Sequence, residues 1–116
     1  MLPSVGKEPD SENYARQAFL GLTELTNCVY ATYNDGDKEF KYFVIIPIGQ
    51  ETYDSIWKRL SEKWKKFNHE KCSVLIKKVP YMGLTGVVLS GKKIIGVTEC
   101  ADETEVLNRL EAVIMQ

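Results

Sequence analysis

The chain carries one histidine and three cysteines, and their spacing decides which chemistry is open to it. His69 and Cys72 have an H-x-x-C spacing, and Cys28 and Cys100 would complete a Cys3His zinc set. Structural zinc sites draw their ligands as close pairs on tight loops; here two of the thiols are far from the pair in sequence. Cys72 also alternates in phase with Val74 and Ile76, the pattern of a strand face turned to a core. No metal and no cofactor is therefore expected. A nucleophilic thiol needs a neighbouring base to lower its pKa, and His69, at a loop-to-strand junction, forms no recognised pair of that kind. All three cysteines are expected as free buried thiols, with one disulfide in an oxidising compartment as the alternative.

Two further motifs lose their chemistry on inspection. Gly86-Val87-Val88-Leu89-Ser90-Gly91-Lys92-Lys93 matches the G-x-x-x-x-G-K part of a phosphate-binding loop. That loop needs a hydroxyl residue after its lysine and a helix behind it. Lys93 stands in the hydroxyl position and Ile94-Ile95 continues as strand, so the segment reads as a β-hairpin. Asp35, Asp37 and Glu39 form an acidic cluster that could hold calcium weakly, but turn chemistry explains the two aspartates as well. With no catalytic constellation, the expected class is not an enzyme.

One surface feature rises above background. Residues 50–67 read as a helix whose apolar stripe is Tyr53, Ile56, Trp57, Leu60, Trp64 and Phe67. Lys58, Arg59, Lys65 and Lys66 project opposite this stripe, with Lys63 at its flank. Asp54–Lys58 and Glu62–Lys66 are spaced as supporting i,i+4 pairs. Basic residues interleaved with aromatics can stack single-stranded nucleic acid; the helical phase turns the aromatics inward and argues against that. The partner that fits this face is an acidic protein.

Before that helix, residues 10–25 show a second apolar stripe (Tyr14, Ala15, Ala18, Phe19, Leu22, Leu25) behind the capping residues Asp10 and Ser11. Residues 28–33 and 40–46 alternate as two strands about Asn34-Asp35-Gly36-Asp37, a hairpin turn. Residues 71–80, 85–89 and 93–100 read as three more. Asp102 caps a last helix with Glu105 at its third position, and Val106, Leu107, Leu110, Val113 and Ile114 make its apolar face. The expected fold class is α+β: a single five-stranded, mainly antiparallel sheet covered by three helices in the order αββαβββα.

A chain of 13.2 kDa is one domain, expected at residues 10–116 behind a flexible polar tail at 1–9. A net charge of -1 gives no whole-molecule field for nucleic acid or anionic lipid. No apolar run approaches the ~20 residues that span a bilayer. A cytoplasmic chain and a lipid-anchored extracytoplasmic one trimmed of its signal both begin with such a tail, so the compartment stays open.

The Asn34-Asp35-Gly36 hairpin, the helix at 50–67 and the Ser90-Gly91-Lys92 hairpin together give an element order that resembles profilin-like roadblock and longin domains. It also resembles small bacterial domains of α-β(5)-α layout. The roadblock resemblance implies a non-catalytic, dimerising scaffold or regulator, and no site residue transfers with it. The expected function is a non-enzymatic interaction or scaffold module, with a homodimer open as an assembly. The alternative is a small-ligand-binding domain or enzyme with a pocket between sheet and helices, around Tyr30, Tyr42 and Tyr81.

Overall fold

Alternation runs through more of the chain than the helical stripes suggest, and the described residues form seven strands, not five. The computed structural model describes residues 7, 12–16, 22, 25–36, 38–50, 52–69, 72–79, 83–90 and 93–114, the side chains of Asn68, His69, Cys72, Ser90 and Ile114 excepted. Its elements are β1 (Asn13–Ala15), β2 (Cys28–Asp35), β3 (Lys38–Ile45), α1 (Tyr53–Ser61), β4 (Lys65–His69), β5 (Cys72–Val79), β6 (Gly83–Ser90), β7 (Lys93–Cys100) and α2 (Glu103–Ile114). All seven strands join one sheet in the order β1-β2-β3-β7-β6-β5-β4, each neighbouring pair antiparallel.

The expected five-stranded sheet under three helices, in the order αββαβββα, is thus corrected at two places. Asn13–Ala15, assigned to a first helix, is strand β1, paired with Cys28–Tyr30 of β2. The parts of that expected helix at 10–11, 17–21 and 23–24 lie outside the described residues, as does all but Lys7 of the tail at 1–9. The helix expected at 50–67 begins at Tyr53 and ends at Ser61. Thr52 caps it through a reciprocal pair with Ser55. The chain then turns, with Trp64 N–H donating to Leu60 O at 2.9 Å, and continues as β4. Lys65 to Phe67 fit the end of a helical stripe and a strand equally well. Pairing with β5 decides the matter, because it satisfies the backbone along an otherwise open strand.

Two-sided burial follows from the period of two. Ala31, Tyr33, Phe40, Tyr42, Val44, Val74, Ile76, Val88, Ile95 and Val97 meet Val106, Leu110 and Val113 of α2 on one face. Leu25, Cys28, Phe43, Ile45, Leu75, Val87 and Ile94 meet Ile56, Leu60 and Trp64 on the other. β3, buried along both faces in its second half, is interior, between β2 and β7. Both hairpins expected from turn residues form. Asp35 pairs with Lys38 around Gly36 at φ 65°, and Ser90 pairs with Lys93.

Close approach, not turning, explains two glycines. A Cβ on Gly86 would lie 2.2 Å from Val106 Cγ1, so its absence lets α2 settle onto β6. A Cβ on Gly96 would lie 2.1 Å from Phe43 Cζ, and the Phe43 ring covers that backbone from the facing strand.

Candidate functional site

Two groups of charged residues differ in how they are held. The first gathers where the β2–β3 hairpin meets α2. Asp102 Oδ1 accepts from Glu105 N–H at 2.8 Å, and Glu105 Oε1 accepts from Ala101 N–H at 2.6 Å, so the expected capping pattern starts α2. Glu105 does more than cap. Its carboxylate pairs with Lys38 of β3 and, at 3.3 Å, with Arg109 one turn on. Arg109 also reaches Asp35 at 3.5 Å, and its guanidinium lies 3.8 Å over the Phe40 ring. Phe40 in turn meets Tyr42 edge-on at 5.2 Å, and Tyr42 O–H donates to the Arg109 carbonyl at 2.8 Å.

Asp35, Lys38, Tyr42, Asp102, Glu105 and Arg109 line an open cavity of about 560 Å³ beside the start of α2. Burial raises the Glu105 pKa, but the Lys38 ammonium, the Ala101 N–H and the Arg109 charge outweigh it and hold the carboxyl below its ordinary range. Lys38 and Arg109 are both committed to carboxylates of this chain. The cluster locks the first hairpin to α2.

The alternative pocket around Tyr30, Tyr42 and Tyr81 is not assembled. Opposite registers put Tyr30 beside Phe43 and Tyr42 beside Ala31, hence on the two faces of the sheet. Tyr81 lies outside the described residues.

The second group follows α1 into β4. Lys58 is exposed in the last turn of α1, Lys63 in the turn, and Lys65 and Lys66 on the edge strand. Lys65 pairs with Ile76 and Lys66 with Leu75, so the two point to opposite faces. Lys65 Nζ lies 5.1 Å over the Phe67 ring. Among the described residues no ion pair engages Lys58, Lys63, Lys65 or Lys66. Arg59, expected in this group, is half-buried and not part of the exposed set. The Glu62–Lys66 pairing lapses because the helix has already ended. Lys65 and Lys66 therefore stand on a strand edge, and Lys58 and Lys63 on the helix and turn that lead into it, instead of all covering one helical face. Periodicity alone could not show this; their charge was the available signal.

The other residues singled out are scattered. His69 pairs in register with Cys72, but their side chains, like Asp37, lie outside the described part. Cys28 and Cys100 are free, buried, and belong to opposite faces of the sheet. Burial pushes both thiols up to about 12, so neither forms a thiolate near neutrality. Among the described residues no three His, Cys, Asp or Glu side chains gather as a metal site. No described helix is long and apolar enough to cross a membrane.

One irregularity was not legible beforehand. Between the pairs Leu84–Cys100 and Gly86–Val97 the register of β6 and β7 shifts, and Glu99 takes φ 62°. Thr98 Oγ1 accepts from Lys41 N–H at 3.2 Å, and Glu99 pairs with Lys41 Nζ at 3.0 Å. Across this bulge the Thr85 hydroxyl is fully buried without a hydrogen-bond partner. No protein-family model matches this chain, and no curated protein or solved structure matches it.

Proposed function

We propose that this chain is a non-enzymatic interaction module that recruits an acidic protein partner along the α1–β4 edge. The observation that carries this reading is the set of four exposed lysines, Lys58, Lys63, Lys65 and Lys66, without internal counter-charges among the described residues. Elsewhere Lys38, Lys41 and Arg109 are each bound to a carboxylate of the chain, and the other exposed cations without an ion pair among the described residues, Arg16, Lys78 and Lys93, do not come from one short stretch as these four do. Exposed ammonium groups in such a strip attract negative charge and steer association at moderate salt. The test is capture by the immobilised protein, compared with Lys58→Glu/Lys65→Glu/Lys66→Glu. The wild type retains a defined acidic protein that salt releases, and the reversal retains none. An unchanged retained set would show that the strip is plain solvent surface.

The cavity beside α2 supports a second reading, a small-ligand-binding domain. It ranks lower because its cations are already paired. A thermal-shift screen of small carboxylates and phosphates tests it: a ligand that raises the melting temperature in proportion to its occupancy would favour this reading.

A further inference from the structure

The two edges of the sheet are not equivalent. At one end, β1 covers the first half of β2, and Lys7 bridges to Tyr33 farther along the same strand. At the other end, the described residues place no strand beyond β4, whose five residues are paired only with β5. The outward N–H and C=O groups of an edge strand are a template for one more strand. Proteins blunt such edges with charge, and here the blunting charges have one sign only. Lys65 stands on one face of the edge and Lys66 on the other, so an incoming strand would pass between two cations.

Resting on the acidic-partner reading above, we infer that the partner docks by adding an extended acidic segment as an eighth strand beside β4. The geometry specifies that segment. Residues facing Lys65 and Lys66 are consecutive in an added strand, so two adjacent acids are required, one for each face. The next residue faces Phe67, which is half-buried and packs against the α2-side core. An apolar β-branched residue suits that position. Backbone pairing would supply affinity and the acid pair would set the register.

The probe is Ac-Thr-Val-Glu-Glu-Val-Thr-amide, whose palindromic sequence fits either strand direction. Its fluorescein-labelled form is titrated against the wild type and against Lys65→Glu/Lys66→Glu, with urea midpoints to show that both are folded. A second peptide carries N-methyl groups on both glutamates, which blocks one central amide on each of its edges and keeps the charges. The inference requires binding by the wild type, a loss of about tenfold on lysine reversal, and a similar loss on N-methylation. It also requires slower hydrogen exchange at β4 amides in the complex. If the N-methylated peptide binds as well as the parent while reversal still abolishes binding, strand addition fails and the acidic-partner reading survives. Absent binding, or binding indifferent to reversal, would overturn both. Tighter, reversal-sensitive binding of an oligothymidylate than of the peptide would reassign the edge to nucleic acid.

Discussion

The hairpin–α2 junction and the α1–β4 edge hold cations in opposite ways. At the junction Lys38 and Arg109 are drawn from elements far apart in sequence, and each meets a carboxylate at partial burial. At the edge four lysines come from one short stretch and meet none among the described residues. The first arrangement holds the fold together, since the part-buried Glu105 carboxylate is shared by Lys38 and Arg109 and losing either cation leaves it under-compensated. The second contributes little to stability, since exposed charges are well solvated, and is free to meet something else. A cation's role is thus read from what it is paired with in space, not from its density in sequence.

The largest effect expected lies directly beneath the edge. Trp64, buried between α1 and the sheet, should cost about 3–5 kcal/mol on Trp64→Ala, measured by urea denaturation. A loss below ~1 kcal/mol would mean that the turn into β4 is not anchored by that ring. A smaller effect probes the junction by pH. Because the Glu105 carboxyl sits below its ordinary range in the folded chain, its contribution is fully present above the unfolded carboxylate pKa. That contribution disappears as pH falls through the lower folded value. Glu105→Gln should cost about 1 kcal/mol at pH 7, and the gap to the wild type should close on acidification. A gap that persists unchanged below pH 3 would show that Glu105 acts by shape and capping alone. The smallest effect has the opposite sign. Thr85→Val removes a buried hydroxyl that has no partner and should raise stability by about 1 kcal/mol; a loss would place a buried water on that hydroxyl.

How much of this was legible depends on whether a pattern had one solution. Asn34-Asp35-Gly36-Asp37 and Ser90-Gly91-Lys92 admit only tight turns between alternating runs, and both hairpins form. Asp102 with Glu105 before a 3.6-period stripe defines α2. Tyr14 with Ala15, and Lys65 to Phe67, are spaced so that helix and strand both fit over a few residues. There the choice was made by hydrogen bonding to β2 and β5, strands that local periodicity does not see. The basic residues were legible as a group because they are close in sequence, but their split across two faces of an edge strand followed from that choice. The junction cluster was not legible at all. Lys38 and Glu105 are 67 residues apart, and only the sheet order brings them together. Glu105 had already been explained by capping, which concealed its second role.

The contrast between paired and unpaired cations is tested most directly by urea denaturation of two variants in parallel. Arg109→Ala strips the ring of Phe40 and leaves Asp35 and part of Glu105 without their guanidinium, so it should cost about 2–3 kcal/mol and lower the urea midpoint by about 1–2 M. Lys58→Glu/Lys65→Glu/Lys66→Glu changes six units of charge yet should move the midpoint by less than about 0.5 M. Equal losses in the two variants, or a larger loss in the lysine reversal, would contradict the account, because the edge lysines would then belong to the fold and not be free for a partner.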